Sequence, residues 1–267
     1  MKILILGGVA ESKLLARKLI DHGHIVIYSL VGLVRQPDLP CEIHVGGFSH
    51  AGKSGAQGLS EYCAHHHIEL LLDATHPYAV EISANAVQAA KQTAIPCWRF
   101  NRPGWNPADY PNWHSYNNWD DLFPQIIRYH RPFFSIGISA LKFAEQRPPV
   151  RQQGQPGQQW IVRSARPFPE TEGIIQIIAI GPFSYADERA LMLEHKVDAL
   201  ISKNSGCSRV SRKLDAALDL NIPVFVQARP ALVEVDQSFN EIDALVAAIN
   251  HSANNNITLG IMRRTGS

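Results

Sequence analysis

The sequence predicts an α/β protein of two domains, each with a largely parallel sheet. Short apolar runs rich in β-branched residues alternate with segments of helical spacing, which is the pattern of repeated strand-helix units. The length of 267 residues is one at which a single core divides into two domains. The strand-helix pattern also restarts after a loop-rich stretch. We therefore expect an N-terminal domain over residues 1–130, a C-terminal domain over 131–250 and a polar tail over 251–267.

The chain opens with a strand, a tight turn and a helix. The apolar run Ile3–Leu6 ends at Gly7-Gly8, and apolar residues then follow at helical spacing as far as Gly23. The next run, Ile25–Leu30, has the composition of a buried parallel strand. This order is typical of the first unit of a nucleotide-binding domain.

The remaining elements follow from the same patterns. Further strands are predicted at Ile43–Val45, Ile68–Leu72, Cys97–Phe100, Phe133–Ile136, Trp160–Arg163, Ile174–Ile180, Ala199–Ser202 and Val224–Gln227. Helices are predicted at Leu59–His67, Ala79–Thr93 and about Asp120–Tyr129. Composition predicts an ordered loop over Asn101–Asn118, a mobile loop over Gln146–Gln159 and a frayed tail beyond His251.

Composition excludes several classes of protein. A chain with 45% apolar residues and a net charge of +1 is neither disordered nor a typical nucleic-acid binder. Because no apolar run approaches the length of a membrane span or a signal peptide, we expect a cytoplasmic protein. The four cysteines lack metal-site spacing, and His65-His66-His67 on a helix cannot all reach one ion, so no metal is expected.

The first glycine turn is a candidate phosphate site. Gly7 and Gly8 allow a close approach of backbone to a ligand, and the following helix presents N–H groups near Glu11 and Ser12. The spacing is not GxGxxG, however, and similar glycine pairs occur in domains that bind no nucleotide.

A second candidate site follows a later strand. Asp73, Thr75 and His76 lie where ligands of open α/β sheets bind, beyond the carboxyl end of a strand. The alternative is that Asp73 or Thr75 caps the next helix and that His76 only packs against Pro77.

Two further turns are of interest. Lys203, Asn204, Ser205 and Gly206 form a strand-to-helix turn that could bind phosphate or carboxylate, or could simply cap the helix. The turn at 181–184 is either a proline-initiated helix start, which we favour, or a ligand wall.

Several segments together resemble one family, the precorrin-6A and cobalt-precorrin-6A reductases of corrin-ring biosynthesis. The segments are ILILGGVAES, VGGFSHAGKSGAQGLSEY, LLDATHPYAVEISANAVQAA, RFNRPGW, IGPFSYADERAL and ISKNSGCSRVSRKLDAA. The resemblance covers residues 1 to about 230. It implies two Rossmann-like domains with a cleft between them, and NADPH-dependent reduction of the C18=C19 double bond, with hydride delivered to C19 and a proton to C18.

The resemblance also assigns roles to residues. Cofactor binding would involve Gly7, Gly8, Val9, Glu11, Ser12, Arg35, Lys203, Asn204, Ser205 and Gly206. The substrate side would be lined by Gly47, Phe48, Tyr78 and Arg102. The catalytic residues would be His76, Asp73 and Thr75, with either His76 or a water held by Asp73 and Thr75 as proton donor.

Two departures from the family pattern concern the cofactor. Val9 stands where the family commonly has a threonine after the glycine pair, and Val31-Gly32-Leu33 replaces a common AGR. The nearest guanidinium to that segment is Arg35. The resemblance implies NADPH rather than NADH, but these two departures leave the choice of cofactor open, with Arg35 as the candidate for the 2′-phosphate of NADPH.

Two other functions fit a two-domain α/β chain: a nucleotide-sugar transferase and a non-catalytic tetrapyrrole-binding protein. The sequence leaves open whether the substrate carries cobalt. Residues 97–170 carry nine basic and five acidic side chains, and we expect Arg102 among them to pair with a substrate carboxylate. The expected partner is a small tetrapyrrole, with no nucleic acid or membrane, and the protein is expected to be a monomer or weak homodimer.

Overall fold

A computed structural model describes residues 1–32, 37–50, 52–146, 157–206 and 211–265. The chain forms two units. Unit 1 comprises Met1–Arg102 and Ala231–Ser267, and unit 2 comprises Pro103–Pro230. The expected boundary near residue 130 falls inside unit 2, because the segment from Pro103 onward contributes an edge strand to the second sheet.

Twelve strands and eight α-helices are assigned within the described residues. The strands are β1 Lys2–Leu6, β2 Ile25–Leu30, β3 Glu42–Val45, β4 Leu70–Asp73, β5 Cys97–Phe100, β6 Trp113–Tyr116, β7 Pro132–Phe134, β8 Trp160–Ser164, β9 Ile174–Ile178, β10 Ala199–Lys203, β11 Val224–Gln227 and β12 Gln237–Phe239. The helices are α1 Ala10–Asp21, α2 Gly55–His65, α3 Val80–Thr93, α4 Trp119–Ile126, α5 Ser139–Gln146, α6 Tyr185–Glu194, α7 Arg212–Asp219 and α8 Ile242–Thr265.

The sheet of unit 1 is parallel throughout, with the order β12-β5-β4-β1-β2-β3. Its inner strands β1, β2 and β4 are largely apolar because helices cover both faces, and β1 is fully buried from Ile3 to Leu6. The direction of winding reverses between β1 and β4, where Leu6 lies beside Asp73. In a doubly wound sheet this switch point leaves a crevice at the carboxyl ends of the strands, and ligands bind there.

The sheet of unit 2 repeats this architecture with the order β6-β11-β10-β7-β8-β9, again all parallel. Its switch point lies between β7 and β10. A large aromatic core packs on one face and includes Phe134, Phe143 and Trp160. The prediction of two Rossmann-like α/β domains is confirmed.

Three features differ from the sequence prediction. The expected loop 101–118 contains β6, and the short strand β12 was not predicted. The tail that was expected to fray continues α8 as far as Thr265. Most of the expected mobile loop Gln146–Gln159 lies outside the described residues, since positions 147–156 are not described.

No helix in the described part of the chain has both the length and the apolar character needed to cross a membrane. Of the four cysteines, Cys41, Cys63 and Cys97 are free thiols, and Cys207 lies outside the described residues. Burial raises the pKa of both Cys63 and Cys97 to about 12, so these two thiols remain protonated at neutral pH.

Candidate functional site

The glycine turn after β1 requires the absence of side chains for two different reasons. A Cβ built on Gly7 would lie 2.3 Å from Cζ of Tyr28, so the second strand packs directly against the turn. Gly8 has φ +116°, a conformation that disfavours any residue with a Cβ. These constraints fix the backbone that leads into α1.

A chain of hydrogen bonds holds this turn from below. The Gly8 N–H donates to the Tyr28 hydroxyl at 2.8 Å, and the Tyr28 and Ser12 hydroxyls lie 2.7 Å apart. Ser12 in turn donates to the Val9 carbonyl at 2.7 Å. Since Ser12 is fully buried, its hydroxyl stabilises the turn instead of facing a ligand, which differs from the expectation for this residue. Tyr28 was not identified from the sequence, because an aromatic residue in an apolar strand gives no signal beyond core packing.

The outer side of the turn fits a phosphate group. A Cβ built on Gly8 meets no atom within 4 Å, and both Gly8 and Ala10 are exposed. The helix α1 begins at Ala10, and the first N–H groups of a helix attract anions. Open space above the glycine and a helix N-terminus beside it are what a dinucleotide pyrophosphate needs, with backbone donors taking the place of the expected Val9 and Ser12 contacts.

Glu11 and Arg102 form an ion pair at the same end of the sheet. Nη1 of Arg102 lies 3.0 Å from each carboxylate oxygen of Glu11. Arg102 is only 8% exposed, so its charge is already balanced within unit 1. The expectation was that Arg102 pairs with a substrate carboxylate, whereas in the structure it pairs with Glu11. This partner could not be recognised from the sequence, because it lies 91 residues away.

Asp73, at the end of β4, is a buried anchor with all of its acceptor positions in use. One oxygen accepts from the Thr75 backbone N–H at 3.2 Å and the Thr75 hydroxyl at 2.7 Å. The other accepts from Ser83 at 2.7 Å and from Nε of Arg99 at 2.9 Å. The aspartate therefore holds the loop and helix that follow it.

The loop after β4 places Thr75, His76 and Tyr78 beside the glycine turn. The Ala74 N–H donates to the Leu6 carbonyl at 2.9 Å, which joins the two segments directly. His76 is half-buried, and its Nδ1 accepts from the Tyr78 backbone N–H at 3.3 Å. The neutral imidazole therefore carries its proton on Nε2. The loop thus presents a hydroxyl and an imidazole N–H at the switch point of unit 1.

Gly47 and Phe48 follow β3, at the far edge of the same sheet. Gly47 is exposed, but the Phe48 ring is buried and stacks on His44 with a centroid distance of 4.6 Å. The Phe48 carbonyl lies 1.8 Å from a Cβ built on Gly58, so α2 packs closely on this turn. Phe48 therefore belongs to the core of unit 1, which differs from the expected substrate-lining role.

Residues 203–206 of unit 2 lie against the segment that begins at Pro103. The Asn204 amide accepts from the Trp105 N–H at 2.8 Å and donates to the Trp105 carbonyl at 3.3 Å. Gly206 has φ +75°, and a Cβ there would lie 1.9 Å from the Pro103 carbonyl oxygen. The two segments therefore pack directly against each other, and the Asn204 amide is already hydrogen-bonded.

The other two side chains of this turn differ in their surroundings. Lys203 donates to the Ser139 hydroxyl at 3.1 Å, and burial lowers its pKa. The Ser205 hydroxyl is buried and has no hydrogen-bond partner among the described residues. Arg35, the last of the predicted cofactor residues, lies outside the described residues.

Unit 2 also contains a cavity of about 270 Å³ that sequence reasoning missed. Arg163, Glu188 and Lys213 line it together with the turn 181–183. The turn is therefore a cavity wall as well as the approach to α6. Arg163 was the residue that could have indicated this cavity from the sequence. A charged side chain in a strand predicted to be buried needs a partner of opposite charge nearby.

No group of three or more His, Cys, Asp or Glu side chains is placed to hold a metal ion within the described ranges. The fold is two doubly wound parallel sheets, and in the first of them a glycine turn, a helix N-terminus and a polar loop meet at the switch point. These features define a two-domain protein of the Rossmann-like class.

Comparison with known proteins narrows this class to one family. The family model described as "Precorrin-6x reductase CbiJ/CobK" matches residues 2–250. The chain belongs to this family. It is 36% identical over 256 residues to "Precorrin-6A reductase" of Rhodococcus erythropolis, covering 92% of this chain and 96% of that one. It is 24% identical over 269 residues to "Cobalt-precorrin-6A reductase" of Methanocaldococcus jannaschii, covering 93% and 98%.

The architecture also matches a solved structure of the same family. "CobK precorrin-6A reductase" superimposes with a TM-score of 0.80 and 25% identity, over 93% of this chain and 96% of that chain. The resemblance stated from the sequence motifs is therefore confirmed.

Proposed function

We propose that the protein reduces the C18=C19 double bond of precorrin-6A with NADPH, delivering hydride to C19 and a proton to C18. The observation that carries this proposal is the meeting of the glycine turn and the Asp73 loop at one switch point, through Leu6 and Ala74. Membership in the reductase family supplies the reaction type. The greater identity to the relative named for the metal-free substrate supports precorrin-6A over its cobalt form.

The chain's contribution begins with binding the cofactor phosphates. Gly7 and Gly8 keep side chains away from the turn, and the N-terminus of α1 supplies backbone donors. Tyr28 holds the Gly8 amide in place from below. The bound nicotinamide supplies the hydride.

The chain must also provide a proton, and His76 is the candidate. Its Nδ1 accepts a hydrogen bond from the Tyr78 N–H, which orients the ring and makes Nε2 the nitrogen through which a proton would pass. The Thr75 hydroxyl donates to Asp73, which leaves the Thr75 oxygen free to accept a hydrogen bond from a water. Asp73 acts by fixing this loop, since all its acceptor positions are taken within unit 1.

Substitution of His76 tests this assignment. His76→Asn keeps a polar side chain but removes the transferable proton, and we expect kcat to fall by about 100-fold or more. The Kd for NADPH should stay within about twofold of the wild-type value, because the imidazole is not part of the phosphate site. His65→Asn, at an exposed helix end, is the matched control and should leave kcat unchanged. A His76→Asn enzyme with near wild-type kcat would leave Thr75 and its water as the donor.

The choice of NADPH over NADH is a separate proposal that depends on Arg35. Its guanidinium is suited to the 2′-phosphate that only NADPH carries. Arg35→Ala should raise KM for NADPH strongly and leave KM for NADH nearly unchanged. Equal effects on both cofactors would remove Arg35 from this role.

We further propose that the protein acts in the cytoplasm as a monomer or weak homodimer, with a tetrapyrrole as its partner and no nucleic acid or membrane. The near-neutral charge of +1 supports the absence of a nucleic-acid or membrane partner, because it gives little attraction to polyanionic surfaces. Sedimentation at micromolar concentration, with and without added DNA, tests the oligomeric state and the nucleic-acid prediction together.

A further inference from the structure

The cavity of unit 2 contains a buried positive charge that the proposed reaction does not use. Lys213, on α7, is 4% exposed and lines the cavity. Its ammonium has no hydrogen bond or ion pair among the described residues. Its one close aromatic contact places Nζ 5.5 Å from the centre of the Trp105 ring. A buried ammonium without a carboxylate partner is unfavourable and is seldom retained without a function.

The neighbouring charges do not compensate Lys213. Arg163 and Glu188 form a bidentate pair, with both nitrogen to oxygen distances at 2.9 Å. Each is less than 10% exposed. Because these two charges cancel, the cavity wall carries one net positive charge, which belongs to Lys213.

The charged part of the cavity wall is also packed against aromatic rings. The Arg163 guanidinium lies 4.0 Å from the centre of the Phe183 ring and 5.0 Å from that of Phe133, so aromatic rings hold it in place. The lining comes from the carboxyl-end side of β7, β8 and β9, where parallel sheets bind ligands. The cavity therefore combines a wall held by packing with one uncompensated positive charge.

We propose that this cavity is a carboxylate-binding subsite, in which the Lys213 ammonium receives one side-chain carboxylate of the tetrapyrrole substrate. The inference rests on the proposed function for the identity of that substrate. A carboxylate carries a single negative charge, which matches the single uncompensated charge of the wall. A phosphate dianion would bring excess negative charge next to Glu188, so the cofactor phosphates fit this cavity less well.

The ionisation of Lys213 supports the same assignment. Burial and the Arg163 charge lower the pKa of Lys213 to about 8, against the opposing effect of Glu188. A bound anion stabilises the ammonium form, so affinity for the carboxylate should fall as the pH rises above about 8. A variant without this amine should lose that pH dependence.

Binding of uroporphyrin III tests the proposal, because this tetrapyrrole carries acetate and propionate side chains. Its Kd is measured by quenching of tryptophan fluorescence, and the Kd for NADPH is measured in parallel. Lys213→Met should raise the Kd for uroporphyrin III at least tenfold and change the Kd for NADPH less than twofold. Lys213→Arg should restore most of the affinity. Lys142→Met removes an exposed charge of the same unit and is the matched control, expected to match the wild type.

Each contrary outcome has a definite meaning. Weaker NADPH binding with unchanged uroporphyrin III binding would assign the cavity to a cofactor phosphate and overturn the proposal. Unchanged binding of both probes, or a wild type that does not bind uroporphyrin III, would also overturn it. If uroporphyrin III binds through Lys213 but NADPH is never oxidised with precorrin-6A, the subsite stands and the proposed function fails.

Discussion

Replacing Lys213 with methionine should stabilise unit 2 at neutral pH, although it removes a charged residue from a functional cavity. Methionine has a similar length and keeps the packing of the side chain, while the buried charge is lost. The pKa of Lys213 is lowered from 10.5 to about 8. Each pKa unit corresponds to about 1.4 kcal/mol, so keeping the ammonium charged in the folded protein costs about 3 kcal/mol. We expect Lys213→Met to raise the free energy of unfolding by about 2 to 3 kcal/mol at pH 7.

The pH dependence has a defined sign. Below pH 8 the amine is charged in both the folded and unfolded chains, so the full cost is present. Between pH 8 and 10.5 the unfolded chain binds a proton that the folded chain does not, so the stability of the wild type rises with pH. The advantage of Lys213→Met should therefore shrink over this range and disappear above it.

Urea unfolding followed by tryptophan fluorescence measures this effect. Four of the five tryptophans, Trp105, Trp113, Trp119 and Trp160, lie in unit 2, so the signal reports mainly on that unit. Lys142→Met is again the control and should change the free energy of unfolding by less than about 0.5 kcal/mol. A loss of stability of more than about 1 kcal/mol for Lys213→Met, with an unchanged m value, would show that the ammonium is net stabilising and refute the reasoning.

The remaining predictions concern the turns and the core. Gly206→Ala should lower the free energy of unfolding by about 2 kcal/mol or more in urea titrations, because of the positive φ and the 1.9 Å clash. Asp73→Ala should cost about 3 kcal/mol by the same assay, since it leaves a buried guanidinium without its partner. Tyr28→Phe should raise the Kd for NADPH by about fivefold, measured by cofactor fluorescence, as one hydrogen bond that orders the turn is lost. Cys63 and Cys97 should resist iodoacetamide at pH 8 in the native protein and react in guanidinium, as read by mass spectrometry.

The parts of the fold that the sequence predicts are those encoded by local pattern. Two strands illustrate this. The apolar run Ile3–Leu6 is followed by a glycine turn, and a second apolar run ends at Asp73, and the structure has a strand at each place. The strands β6 and β12 are different. Each has only three or four residues and is stabilised by pairing with a strand that is distant in the sequence. Such strands carry too little local pattern to be distinguished from loop.

The side chains of the site show the same division. The sequence predicts Asp73 and His76 as candidate site residues, because polar residues directly after a buried strand are conspicuous. The surroundings of Arg102 could not be predicted, because Glu11, which pairs with it, is 91 residues away. The burial of Lys213 could not be predicted for a related reason. In the sequence it is one basic residue near the start of an amphipathic helix, and only the fold shows that it is buried.

Transfer of deuterium from stereospecifically deuterated NADPH to precorrin-6A tests the central claim most directly. The proposed function predicts that the cofactor is oxidised only when the substrate is present and that the label appears at C19 of the product, located by NMR. The cobalt-containing substrate, assayed in parallel, should turn over more slowly. Absence of substrate-dependent cofactor oxidation, or a product without the label, would contradict the assignment of this chain as a nicotinamide-dependent reductase.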